Sequence, residues 1–122
     1  MTNTTLNSGT VNITSGDAEI ETSNLANITF SIITGDLDLE NSQASDITFE
    51  LSMGDFSANA ATFKNDNTIT ITTGEVDITL VSKDLKVVMT NLLGDAVITS
   101  NLNQSSKNTL IIDGNVGDIT VQ

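Results

Sequence analysis

Glycine recurs along this chain at Gly16, Gly35, Gly54, Gly74, Gly94 and Gly114, at intervals of 19, 19, 20, 20 and 20 residues. The residue after each is Asp17, Asp36, Asp55, Glu75, Asp95 and Asn115, five acids and one neutral analogue of Asp. A period of this length is the mark of a repeat architecture, in which each unit covers the apolar face of the next. Few folds are compatible with it.

Aligning the glycines produces columns. Five residues before glycine stand Val11, Phe30, Phe49, Ile69, Met89 and Thr109, and three before stand Ile13, Ile32, Leu51, Ile71, Asn91 and Ile111. Two after come Ala18, Leu37, Phe56, Val76, Ala96 and Val116, and four after come Ile20, Leu39, Ala58, Ile78, Ile98 and Asp118. Between the columns the residues are mostly polar. Apolar residues therefore alternate with a period of two on each side of the glycine, as in strands with one buried face, and no 3.6-residue helical period is sustained. Each unit reads as strand, Gly-acid bend, strand and a polar return carrying one apolar anchor, such as Leu6, Leu25, Ala44, Phe63 or Leu85. Parallel connections favour a right-handed wind. The expected fold is all-β: a single-domain right-handed parallel β-helix (β-solenoid) of about six coils of 19–20 residues over 1–122. The columns break near Asn91, Leu92-Leu93 and Asp118, so the register of the last two coils stays open. Both ends fall in mid-coil, which is expected equally of irregular end segments that fold over as caps and of a segment of a longer chain or ends that pair with another copy.

Composition excludes several activities. The chain has no Cys, His, Pro, Trp or Tyr, and its only basic residues are four lysines against 16 acids, a net charge of −12. Disulfides, thiolate zinc sites and Cys or His catalytic machinery are thereby absent. The charge argues against nucleic acid as a partner. No apolar run is long enough to span a bilayer, and no signal peptide opens the segment. Ser, Thr and Asn number 12, 19 and 14, but the regular placement of Ile, Val, Leu and Phe argues for a packed core rather than disorder. Asn-x-Ser/Thr sequons at Asn3, Asn12, Asn27 and Asn103 are expected by chance in such a composition. A flat Thr-x-Thr ice-binding array is not sustained.

Segments such as Ile13-Thr14-Ser15-Gly16-Asp17, Ile32-Ile33-Thr34-Gly35-Asp36 and Ile71-Thr72-Thr73-Gly74-Glu75 resemble the recurring Thr-Ser-Gly-Asp coil of bacterial adhesin-like β-solenoid domains. These are domains of unknown function in envelope proteins. The resemblance covers about residues 10–120. It implies a parallel β-helix, an extracellular or cell-surface location and a scaffold or binding role, and it supplies no catalytic residues.

Two acidic constellations are candidates for function. The first is the Gly-following column, Asp17, Asp36, Asp55, Glu75 and Asp95. Its structural reading is a bend, in which glycine reaches positive φ and Asp caps nearby backbone N–H groups. Its functional reading is a carboxylate ladder for Ca²⁺, the one cofactor considered, since calcium takes six to eight oxygens. The bend is favoured, because the nonapeptide of calcium β-rolls is missing. The second is a patch. Residues one, three and five after glycine should face outward together, which groups Asp17, Glu19 and Glu21 with Asp36, Asp38 and Glu40. A solvated face is one account; a dock for a divalent ion, a cationic peptide or a cell-envelope component is the other. Residues 1–61 hold nine acids and no base, whereas residues 62–122 hold seven acids with Lys64, Lys83, Lys86 and Lys107. Paired carboxylates such as Asp36 and Asp38, or Asp17 and Glu19, would suit a carbohydrate-active β-helix enzyme fragment. That class normally adds aromatic platforms and basic residues, so a non-enzyme is expected, with a Ca²⁺-stabilised solenoid and an enzyme fragment as alternatives.

Overall fold

The computed structural model describes residues 2–90, 94–98 and 102–122. The periodic apolar columns are drawn inward there as parallel strands stacked rung upon rung, forming a β-solenoid of about six turns. Strands are numbered in chain order. One face is built from β2 (Gly9–Ser15), β5 (Ile28–Thr34), β8 (Thr48–Met53), β10 (Asp66–Thr73), β14 (Thr109–Val116) and β12 (Lys86–Thr90), in that spatial order. A second face stacks β3 (Ala18–Glu21), β6 (Leu37–Glu40), β9 (Phe56–Lys64), β11 (Val76–Leu80), β15 (Ile119–Val121) and β13 (Ala96–Ile98). The return segments supply a short third face from β1 (Thr5–Leu6), β4 (Asn24–Ala26), β7 (Gln43–Ser45) and the end of β9. Among the described residues no helix is long and apolar enough to cross a membrane.

Three corners close each early rung. Glycine makes the first, with φ of 144° at Gly35 and 150° at Gly54. A Cβ on either would land on the carbonyl oxygen of the glycine one rung below, so both backbone conformation and close approach demand glycine. The other two corners use left-handed residues at 19-residue intervals: Asn3, Thr22, Asn41 and Ala60, then Asn27, Asp46 and Asn65. Asn and Asp tolerate this region better than most residues, which gives part of the Asn-rich composition a structural use.

The core runs up the middle. Phe30 and Phe49 stack with centroids 5.3 Å apart, and Phe49 meets Phe56 edge to face at 4.9 Å. The return anchors Leu25, Ala44, Phe63 and Leu85 are all buried. Polar groups carried inward are satisfied: Ser42 Oγ accepts from Ser23 N–H and donates to the Glu40 carbonyl, while Asn67 Oδ1 accepts from Ile47 N–H. Among the described residues no buried side-chain N or O atom lacks a partner, as a low-dielectric interior requires.

The early columns lie where the sequence places them, but the last coil does not. Ile112 pairs with Ile69, Gly114 with Ile71, Ile119 with Val76 and Val121 with Ile78. The bend glycine of that coil is therefore Gly117, not Gly114, and every column shifts by three residues. Thr109 and Ile111 leave the core for Ile112 and Gly114, and after the bend Ile119 and Val121 are the buried residues, with Asp118 exposed. Asp118 instead completes the acidic column in place of Asn115. Asn91 and Leu92-Leu93 lie outside the described residues.

Spatial order departs from chain order as well. Residues 109–121 sit between the coil of β10 and β11 and the coil of β12 and β13. The slot between two rungs buries a strand on both sides, and Leu110, Ile112, Ile119 and Val121 fill it with at most 2% exposure. The coil carrying Met89 and Ala96 has the poorer apolar face and takes the outer position. Burial of the better face outweighs the usual adjacency of consecutive elements.

Candidate functional site

Strands β3 and β6 lie side by side with Glu19 opposite Asp38 and Glu21 opposite Glu40. The intervening Ala18, Leu37, Ile20 and Leu39 point inward, three of them fully buried, so alternation forces the four acids outward. Parallel neighbours are about 4.8 Å apart, a spacing at which like charges directly opposed destabilise a sheet. On the third rung β9 presents neutral partners, Ser57 beside Asp38 and Asn59 beside Glu40. Glu19, Glu21, Asp38, Glu40, Ser57 and Asn59 line a groove of about 150 Å³, floored by Ile20 and Leu39. Burial holds the Asp38 carboxyl above its ordinary range, and repulsion from Asp36, Glu19 and Asp17 adds to the shift. A cation placed between the opposed carboxylates would relieve this repulsion.

Asp17 and Asp36 stand beside the groove on the bend, and their carboxylates are engaged along the stack. Asp17 Oδ1 accepts from Asp36 N–H at 3.0 Å, Asp36 Oδ1 from Asp55 N–H at 2.9 Å and Asp55 Oδ1 from Glu75 N–H at 2.9 Å. Asp118 Oδ1 likewise accepts from Asp95 N–H at 3.3 Å. In the column considered for Ca²⁺, Asp17, Asp36, Asp55 and Glu75 occupy successive rungs, and Asp118 separates Glu75 from Asp95. Among the described residues no group of three or more acids is arranged to hold a metal ion. The ladder caps backbone donors, the chemistry of a bend.

Sequence reasoning passed over Asp84. Its carboxylate accepts from Asn103 Nδ2 at 2.9 Å, and its carbonyl accepts from Ser106 Oγ and Asn108 Nδ2, both at 3.1 Å. Hydrogen bonds from Asn103 and then Ser106 lower its pKa. The contacts tie residues 103–108, which lead into the inserted coil, to the segment that leads into the outer one. No repeat spacing marks Asp84, because this crossing occurs once.

The family model for Toastrack DUF4097 matches residues 1–122, and the chain belongs to that family. Neither the curated proteins nor the solved structures contain a match to it.

Proposed function

We propose that this Toastrack-family solenoid is a non-catalytic structural and binding module of a bacterial cell-envelope or secreted protein, and that the groove between β3 and β6 docks a cationic peptide or envelope component. The carrying observation is the direct stacking of Glu19 on Asp38 and of Glu21 on Glu40 around one groove. The resemblance of the Gly-acid coils to adhesin-like domains supports an envelope or cell-surface setting. Absence of His, Cys and Arg from the sequence supports a binding role over a catalytic one.

An oligolysine peptide carrying a fluorophore tests the reading by anisotropy. Binding that weakens with salt is expected, and it should be lost in the variant Glu19→Gln, Glu21→Gln, Asp38→Asn, Glu40→Gln. Unchanged binding by that variant removes the groove from the function.

A further inference from the structure

Two hydrogen-bond ladders run up the bend column and end in complementary groups. In the first, each aspartate Oδ1 takes the N–H of the acid one rung above: Asp17 from Asp36, Asp36 from Asp55, Asp55 from Glu75, Asp118 from Asp95. In the second, the N–H following each acid donates to the acid carbonyl one rung above. Ala18 donates to Asp36, Leu37 to Asp55, Phe56 to Glu75, Val76 to Asp118 and Ile119 to Asp95, all at 2.8–2.9 Å. At the outer rung the next members are the Asp95 carboxylate as acceptor and the Ala96 N–H as donor. At the first rung they are the Asp17 N–H as donor and the Asp17 carbonyl as acceptor. One end offers what the other end takes.

Packing shows the same complementarity. Continuing the register places Met89 on Val11, Ala96 on Ala18 and Ile98 on Ile20. These are core columns, yet Ile98 is 42% exposed, Ala96 is exposed, and Met89, Val11, Ile13 and Ala18 are only half-buried. Glycine also fits this junction. Gly35, Gly54, Gly74, Gly117 and Gly94 each rest on the glycine carbonyl of the preceding rung, whereas a Cβ on Gly16 would come no closer than 3.9 Å to any group, the Ile13 side chain. Gly16 leaves room for the carbonyl of Gly94 from another molecule.

We infer that copies of this chain stack head to tail, β2 and β3 of one molecule pairing in parallel with β12 and β13 of the next and carrying both ladders across the junction. The two surfaces are different, so the contact is heterologous and propagates into open filaments rather than closing into a dimer. Each copy carries a net charge of −12, and mutual repulsion opposes stacking until salt screens it.

Sedimentation velocity on the full chain at rising concentration, in low and in high salt, tests this. A weight-average mass climbing above the monomer, more strongly in high salt, is expected; a strict monomer throughout overturns the inference. Two end-blocked variants test the geometry. Ala96→Lys with Ile98→Lys places charges on exposed positions of the outer rung. Thr10→Pro with Asn12→Pro removes donors from the bare side of β2, since Gly9 N–H points to the Asn27 carbonyl and alternate residues face away. With native circular dichroism as the folding control, each variant alone is expected to remain monomeric, and an equimolar mixture should give a 1:1 heterodimer that grows no further. Association of either variant alone to the wild-type extent, or no heterodimer in the mixture, overturns the inference.

Discussion

Ile111 and Ile112 are adjacent residues of one type in one strand, and truncating each to alanine tests the register of the inserted coil. Ile112 pairs with Ile69 and Met89 and is 0% exposed, whereas Ile111 pairs with Thr68 and Val88 on the outer surface and is 37% exposed. Ile→Ala removes three carbons, about 2.4 kcal/mol at ~0.8 kcal/mol per buried CH₂, and the cavity left in a two-sided slot raises this to about 3–4 kcal/mol. Ile111→Ala loses partial packing only, roughly 1 kcal/mol or less. Both variants forfeit the same strand propensity, so the difference between them, about 2 kcal/mol or more, isolates burial. Urea denaturation monitored by far-UV circular dichroism reads it as a shift in midpoint at constant slope. The 20-residue glycine frame puts Ile111 inward and Ile112 outward, and so reverses the order. If Ile111→Ala proves equal to or more damaging than Ile112→Ala, the inserted coil is misplaced and the reasoning that put Gly117 on the bend fails.

Gly54→Val forces a β-branched residue to φ of 150° with its Cβ on the Gly35 carbonyl; a loss of at least about 3 kcal/mol is expected, and a stable variant would refute the close-approach argument. Asp55→Ala removes the acceptor for Glu75 N–H and should destabilise by roughly 1 kcal/mol, with Asp55→Asn largely retaining stability; equal effects of the two would show that the ladder bond contributes nothing. Asp38 has a raised folded pKa, so the folded state binds its proton more tightly and this group favours folding most at pH below its unfolded value, the advantage disappearing as pH rises through the folded pKa. Asp38→Asn is therefore expected to stabilise at pH 7, by roughly 0.2–1 kcal/mol, and to have less effect near pH 3; denaturant titrations showing the reverse order would contradict the electrostatic assignment. In the variant lacking the groove acids (Glu19→Gln, Glu21→Gln, Asp38→Asn, Glu40→Gln), melting with and without millimolar Ca²⁺ should give the same midpoint, because the ladder carboxylates that remain are bonded to backbone N–H groups; a clear rise there would restore the calcium reading of the ladder.

The first four coils were legible because each apolar column there is filled by residues whose burial is unambiguous: Phe30, Phe49 and Ile69 in one, Leu37, Phe56 and Val76 in another. The outward acids of β3 and β6 were legible for the same reason, since alternation about Ile20 and Leu39 leaves Glu19, Glu21, Asp38 and Glu40 no other direction. Asp17 and Asp36 were harder to place, because which way a bend side chain turns depends on the N–H one rung above, and counting along the chain gives no view of it. The corners at Thr22, Asn41 and Ala60 repeat every 19 residues, but three different residue types hide the column. The last coil misled because Gly114 keeps the 20-residue spacing while occupying a strand, and chain-order reasoning places each coil on the one before it. Burial of Leu110, Ile112, Ile119 and Val121 decides otherwise, a comparison between two whole coils rather than between neighbouring residues.

The distribution of acids bears on why the groove exists. Solubility is served by carboxylates anywhere on an exposed surface, and it is served best when like charges are spread apart. In β3 and β6 they are instead opposed in register, Glu19 on Asp38 and Glu21 on Glu40, an arrangement that opposes folding. The third rung shows that the fold does not require it, for Ser57 and Asn59 hold the same outward positions without charge. On the fourth rung a single acid, Asp77, returns opposite neutral Ser57 and Thr120. Concentrating the repulsion on two rungs and bordering it with neutral hydrogen-bonding groups supports the proposed docking of a cation there. A ligand that bridges both opposed pairs binds more tightly than two separate monovalent ions of the same total charge, since it avoids a second loss of translational freedom. Oligolysine should accordingly outcompete free lysine for the groove by far more than its number of charges, and proportional competition would reduce the acids to a solvated face.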